Sequence, residues 1–333
     1  MARALLIRLT PAGPWRNGAG PGESRRADPV CHSDTLYSAL TQAIVALGRT
    51  PEVGPEWTEA TAHDPGVTVT SLFPFLRDDL YAPPPRTLWP PPVAARLRAQ
   101  GARFVPTRVV AQLLSGQPLK EDSWEVDAMS QCLVPRSGRP GHTGPFRYAT
   151  RAGAAVDRLT GSAHAHQSSC IEFAPNAGYW CAAVFANAGL EEAWAPKIEA
   201  AFRLLADSGI GGRRSSGWGH SSAVEFERGE LNELLFRRGE RPDAAGAKAW
   251  WLLSLYAPGA SDGVNWEEGS YAAVRRGGRT ASGEAKAELE MIAEGSVLHA
   301  AAAPVGVALA EAPGRIRYGR AVAVPLPALE AAS

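Results

Sequence analysis

Gly209-Ile-Gly-Gly-Arg-Arg-Ser-Ser-Gly-Trp-Gly219 is the stretch whose surroundings decide the fold. Upstream, Ile198, Phe202 and Leu205 recur at helical spacing, with Pro196 suited to the first helical position and Gly209 to the stop. Downstream, Ala223 to Glu227 alternates as a strand. The loop between them lacks the Gly-Lys-Ser/Thr ending of a phosphate-binding P-loop and follows a helix where that motif follows a strand. It does not present G-x-S-x-G for a serine nucleophile either. Its five glycines allow close approach of a nucleic-acid backbone, with Arg213 and Arg214 placed to meet phosphates. Taken alone, the loop fits a plain helix-to-strand connection equally well.

Further upstream, Cys170 to Phe173 and Tyr179 to Phe185 read as two strands of a hairpin joined by Pro175-Asn-Ala-Gly178. At the N-terminus, Leu5, Ile7 and Leu9 alternate within Arg3 to Thr10, and Pro11 ends that strand. A loop rich in Gly and Arg follows, from Ala12 to Cys31. Ser33 can then cap a helix carrying Leu36, Leu40, Ile44 and Leu47, terminated at Gly48. Strand, helix, hairpin, helix, strand is the ferredoxin-like arrangement.

The segment from Thr50 to Ser169 is rich in Pro and loop signals, such as Ala82-Pro-Pro-Pro-Arg86 and Arg139-Pro-Gly-His142, and reads as insertions with short strands. Arg228 to Ala247 is a charged linker, and Trp250 to Tyr256 opens a second strand-rich unit reaching about Pro327. The expected architecture is α+β, with two ferredoxin-like (RRM-like) units and a loop-rich insertion. An N-terminal domain spans 1–230 with its insertion at about 50–169, and a C-terminal ferredoxin-like or strand-rich domain spans 245–330.

A chain of 333 residues exceeds what one hydrophobic core usually serves, and 45% hydrophobic with 20% charged residues describes a globular protein. Lys plus Arg and Asp plus Glu both number 34, so bulk charge gives no nucleic-acid signal and any such surface must be local. Cys31, Cys132, Cys170 and Cys181 are scattered without a C-x-x-C pair, which argues against zinc or a disulfide framework and for a reducing, cytoplasmic setting. The apolar run Ala4 to Ile7 is too short for a signal peptide or a membrane span. The ten tryptophans suggest apolar contact surface for a partner, with Trp250 and Trp251 read as core and interface.

The glycine-rich loop, placed after the last helix of the first unit, resembles that of the RAMP superfamily, ferredoxin-like CRISPR proteins that bind guide RNA. Arg8-Leu-Thr-Pro11 with His32-Ser-Asp-Thr-Leu-Tyr-Ser-Ala-Leu40 resembles the N-terminus of the fourth subunits of type III-A (Csm) effector complexes in particular. Arg151 to Gly161, Ser270 to Arg279 and Gly295-Ser-Val297 extend the resemblance over nearly the whole chain. It implies a non-catalytic subunit that caps the 5′ handle of the crRNA and docks beside a large polymerase-like subunit and a backbone RAMP subunit, with no membrane, metal or cofactor.

The resemblance also implies RNA-facing residues: Gly211, Gly212, Arg213, Arg214, Ser215, Ser216 and Trp218 of the loop, His32, Ser33 and Asp34, and Arg147, Arg151 and Arg158. The start of the first helix offers N–H groups and a positive dipole end to a phosphate, although Asp34 adds negative charge there and plain capping fits as well. Arg136, Arg139, Arg147, Arg151 and Arg158 surround one acid, Asp157, with Phe146 and Tyr148 as faces for base stacking. In such families an inserted hairpin at this place wedges into guide RNA as a thumb. The rival expectation is a metal-independent guide-processing endoribonuclease, for which His32, His166 and His220 are the acid–base candidates. His164 and His166 have no carboxylate cluster beside them in sequence, which makes a metal pair a weak reading.

Overall fold

Alternation in the first strand sets the layers. Leu5, Ile7 and Leu9 are buried with Leu36, Leu40, Ile198 and Phe202 of two helices. Ala4 and Leu6, on the opposite face, are buried with Phe73, Trp180 and Trp251. The sheet is therefore covered on both sides.

The computed structural model describes residues 2–18, 26–48, 50–64, 66–91, 97, 101–136, 144–236, 246–278, 286–312 and 315–327. Its principal elements are β1 (Arg3–Pro11), α1 (Ser33–Leu47), β2 (Val67–Val69), β3 (Phe73–Leu76), β4 (Asp79–Ala82), β5 (Val105–Pro106), α2 (Thr107–Leu114), β6 (Phe146–Val156), β7 (Ala163–Phe173), β8 (Ala177–Phe185), α3 (Ala188–Ser208), β9 (Ser221–Glu230) and α4 (Leu231–Leu235). The C-terminal part contributes β10 (Ala249–Leu252), β11 (Asn265–Ser270), β12 (Val297–His299) and β13 (Ala323–Leu326), besides hairpins formed by Ala273–Arg276 with Leu289–Ile292 and by Gly306–Ala312 with Arg315–Arg320.

The central antiparallel sheet runs β9-β1-β8-β3-β4-β5, with β2 also on β8. Its register sets Leu5 opposite Ala183 and Arg228, and Leu9 opposite Tyr179 and Val224. Chain order through the core is strand, helix, strand, strand, helix, strand, with the last strand beside the first.

Several expectations change. Residues 170–173 and 179–185 do not pair with each other: β7 pairs along its length with β6, Phe146 opposite Phe173, while β8 joins β1. The physical reason is burial, because β8 is apolar and enclosed on both faces, as a central strand requires, whereas the first half of β7 is polar and exposed. Residues 67–76, expected within a loop-rich insertion, supply two strands of the central sheet. Helix α3 begins well before Pro196, which lies inside it, because the Asn187 side chain accepts from Leu190 N at 2.9 Å and caps the earlier start. His32, not Ser33, occupies the N-cap position of α1.

The expected linker after Arg228 is structured in its first part, since β9 runs to Glu230 and Leu231, Leu234, Leu235 and Phe236 enter the core. Residues 237–245 of that linker, and the Arg139-Pro-Gly-His142 turn, lie outside the described residues. The C-terminal part is a four-stranded sheet β11-β12-β10-β13 with two hairpins and no helix among the described residues. The described residues of this part are strands and loops, so they give no sign of the helices that a second ferredoxin-like unit would carry. One buried cluster joins Phe73 and Trp180 of the central sheet to Val109 of α2, Leu234 of α4, and Trp251, Val297 and Val324. Trp15, Trp57, Trp124, Trp180, Trp194 and Trp251 are buried, so the tryptophans build core more than contact surface. No helix among the described residues is long and apolar enough to cross a membrane.

Candidate RNA interface

Helix α3 stops at Gly209 (φ +82°), and the loop then folds back on itself. Ile210 N donates to Gly219 O at 3.0 Å, and a Cβ on Gly219 would stand 2.0 Å from Ile210 O. The loop is also fastened to residues 14–17, through Gly219 N to Pro14 O (2.9 Å) and Gly212 N to Arg16 O (2.8 Å). A Cβ on Gly211 (φ +87°) would meet Arg16 O at 2.5 Å. These glycines serve close packing of one backbone on another, which only a missing side chain permits.

That fastening raises a crown into solvent. Arg213 takes a left-handed conformation (φ +61°), Arg214–Ser216 form a single 3-10 turn, and Arg213 to Gly217 are exposed. The Arg213 guanidinium lies 5.6 Å from the ring centroid of Trp218, which is half-buried. Neither Arg213 nor Arg214 forms an ion pair with any described residue. Two exposed guanidiniums on a glycine-anchored loop present donors with the geometry that phosphate accepts.

Residues 14–17 form a strap between this loop and the hairpin β6–β7. Trp15 and Ile171 exchange both backbone hydrogen bonds, at 2.9 and 2.8 Å, and the Arg16 Nη1 donates to Ser169 O at 3.0 Å. Beyond that anchorage the hairpin projects with residues 157–165 exposed. Its turn is organised by Asp157, whose Oδ1 accepts from Leu159 N (2.7 Å) and Thr160 N (3.0 Å), leaving Arg158 exposed and Leu159 96% accessible. Arg147 and Arg151 lie exposed near the hairpin base and both bind Glu172. Burial raises the Glu172 pKa, but the two guanidiniums outweigh it and hold the carboxylate below its usual range. Tyr148 is partly exposed; Phe146 is fully buried in the core and offers no face for a base. Arg136 is exposed, and Arg139 lies outside the described residues.

His32, Ser33 and Asp34 do not join this surface, because all three are buried. His32 Nδ1 meets Glu294 Oε1 at 2.8 Å and its Nε2 meets Asp28 Oδ2 at 3.3 Å. Burial disfavours the imidazolium, yet the Glu294 charge and the bond to Asp28 prevail and push its pKa up to about 9. Ser33 N donates to Ser71 Oγ (2.8 Å), and Ser33 Oγ accepts from Leu255 N (3.1 Å). Burial likewise opposes ionisation of Asp34, but Arg276 (2.8 Å) and Arg317 (3.4 Å) lower its pKa. The polar groups at the start of α1 are thus occupied by Asp28, Ser71 and the C-terminal part of the chain, and His32 at the N-cap makes no side-chain capping bond.

The remaining histidines stand in other settings. His220 Nε2 lies 3.3 Å from Arg214 O behind the crown, and His164 and His166 lie on the hairpin. No cluster of three His, Cys, Asp or Glu able to hold a metal ion occurs among the described residues. Phe73, Phe75 and Trp180, aromatics on the sheet face opposite α1 and α3, are buried beneath α2, α4 and the C-terminal strands. The stacking platform that RRM-type sheets offer to single-stranded RNA is closed in this molecule. Sequence reasoning missed Arg16, Glu172 and the partners Glu294, Arg276 and Arg317. Only Arg276 carried a signal, as part of Ser270-Tyr-Ala-Ala-Val-Arg-Arg-Gly-Gly-Arg279.

No protein-family model matches the sequence, and no curated protein does. Among solved structures, 98% of the chain superposes on 99% of a chain from the Csm3–Csm4 subcomplex in the type III-A CRISPR-Cas interference complex, with a TM-score of 0.65 and 15% identity. A chain of the Csm1–Csm4 cassette in complex with cA4 is similar over 99% of this chain and 100% of its own length, with a TM-score of 0.58 and 17% identity. The cassette in complex with AMPPNP gives a TM-score of 0.57 at 18% identity, with 99% and 100% covered. At such identities the likeness speaks for the fold alone: a mixed α/β chain of antiparallel sheets, shared over nearly the full length of both chains.

Proposed function

We propose that this chain is the crRNA-binding subunit of a type III CRISPR effector complex, one that holds the 5′ handle and docks a large polymerase-like subunit and a backbone RAMP subunit. The observation that carries the proposal is the convergence of two basic elements on one strap. Residues 14–17 bind the glycine loop on one side and the hairpin base on the other, so Arg213 and Arg214 stand next to a surface carrying Arg147 and Arg151. End-to-end likeness to chains from two assemblies, Csm3–Csm4 and Csm1–Csm4, supports the partner classes, since Csm4 is the component common to both names.

Under this reading Gly211 and Gly212 shape the loop, Arg213, Arg214, Ser215, Ser216 and Trp218 face the RNA, and Arg147, Arg151 and Arg158 follow it along the hairpin. Residues 1–230 act as the ferredoxin-like RNA-binding domain, 245–330 as a strand-rich second domain, and the protein works in the cytoplasm. The role is non-catalytic. His32 is held between two carboxylates in the interior, while His166 and His220 belong to the hairpin and the loop, so the nuclease alternative gains no support from their placement.

Co-expression with the neighbouring effector subunits, purification and sequencing of the bound RNA tests the proposal. Guide RNA with a repeat-derived 5′ end should be recovered. Cleavage of repeat RNA by the isolated chain, abolished by His166→Ala or His220→Ala, would instead establish the nuclease.

A further inference from the structure

The strap contributes more than attachment. Its backbone is committed on both sides: Arg16 O accepts from Gly212 N, and Trp15 exchanges two backbone hydrogen bonds with Ile171. The Arg16 side chain therefore leaves the strap at a fixed place, its Cδ 3.5 Å from the point a Cβ on Gly212 would occupy. The guanidinium, half-buried, is steadied by Ser169 O on β7. We infer that Arg16 is a phosphate-binding residue, the link that carries a single RNA strand from the glycine loop onto the base of the hairpin.

The chemistry of its surroundings supports this. Burial first, and then the charge of Arg213, make the Arg16 cation harder to hold and lower its pKa. On the other side Arg16 meets Ser169 O, and the neighbouring Ser168 stands opposite Arg151 in the β6–β7 register, so the row continues from Arg213 through Arg16 to Arg151 and Arg147. Glu172, an acid at the hairpin base, is engaged by Arg147 and Arg151. Guanidiniums held side by side on fixed backbone supports present converging donors to a phosphate, at little cost in ordering them.

This inference rests on the RNA-binding reading of the loop, and the test separates the two. Affinity of the full chain for a single-stranded RNA carrying the repeat sequence is measured across a salt series for wild type, Arg16→Gln, Arg16→Lys and Arg213→Ala/Arg214→Ala. Loss of one phosphate contact should lower the slope of log affinity against log salt by about 0.7 in Arg16→Gln, while Arg16→Lys keeps the slope. A lower melting temperature with an unchanged slope in Arg16→Gln would make Arg16 a prop for Ser169 and overturn the inference. If the double loop variant lowers the slope and Arg16→Gln does not, the inference alone fails; if neither does, the loop reading fails with it. Phenylglyoxal modification of the wild-type chain needs no variant. RNA should protect Arg16 from it, and an equal rate with and without RNA would contradict the assignment.

Discussion

The glycine loop and the His32-Ser33-Asp34 segment looked alike in sequence, each a run of polar residues in a recognisable pattern, yet the fold treats them in opposite ways. The loop spends its glycines on backbone contacts and leaves Arg213 and Arg214 in solvent with no ion pair among the described residues. The other segment is buried, and its groups are matched by Asp28, Glu294, Arg276 and Arg317. The comparison teaches that polar residues at a turn or helix start are presented to solvent or hold the chain together according to whether the fold brings charge partners to them. Substitution of the loop's exposed arginines should damage binding and spare stability; substitution in the buried segment should damage stability first.

The largest effect is expected at Asp34. Asp34→Ala leaves Arg276 and Arg317 buried, with the carboxylate they share removed, and should destabilise the chain by about 3–5 kcal/mol in denaturant unfolding. Retention of wild-type stability would show that the cluster does not hold the C-terminal strands to α1.

A pH titration sharpens the same point. The folded-state pKa of His32, pushed up to about 9, lies above the unfolded value of about 6.5. Its contribution is therefore fully present below about pH 6.5 and lost as pH rises through about 9. Asp28 and Glu294, both lowered, contribute above the usual carboxylate range and lose that contribution as the solution turns acid. The melting temperature of the wild type should fall on the alkaline side, and the fall should be shallower in His32→Gln. Parallel profiles would remove His32 from the account.

Gly219→Ala tests the loop from its base. At φ +78°, with Ile210 O 2.0 Å from a Cβ, the substitution should cost on the order of 2 kcal/mol and weaken RNA binding by displacing the crown. Smallest in stability is Arg213→Ala/Arg214→Ala, expected within about 0.5 kcal/mol of wild type because both side chains are exposed. Its salt slope for single-stranded RNA should nonetheless fall by about 1.4, roughly 0.7 per phosphate, and equally for all sequences. An unchanged slope would assign these arginines to a protein partner.

The first strand, the first helix, the end of the second long helix and the strand after the loop were all legible, because Leu5, Ile7 and Leu9, then Leu36, Leu40 and Ile44, keep one period on one face. Pairing was not: Phe173 and Tyr179 are separated by a good turn, and local turn chemistry favours a hairpin that the core overrules by placing β8 between β1 and β3. The Pro-rich middle concealed β2 and β3, whose strands are too short for a periodic signal. The exposed half of the candidate site was legible in Gly211, Gly212, Arg213 and Arg214. Its link, Arg16, and the masking of the His-Ser-Asp segment by Glu294 were not, since both depend on residues brought together across most of the chain.

That separation has a bearing on how the protein is made. His32 is synthesised early, and Glu294, which closes over it, follows 262 positions later. β1 is likewise flanked by β9 only once Glu230 can reach Arg3, and Trp180 is covered only when Trp251 and Val297 have been translated. While translation proceeds, an apolar sheet face and an unmatched buried-charge site wait for their complements. Closing such distant contacts is slow and leaves sticky surface exposed to self-association in the interval. A nascent chain of this topology is expected to need protection until β13 is made, and truncation before β10 should raise aggregation, measurable by the soluble fraction on expression.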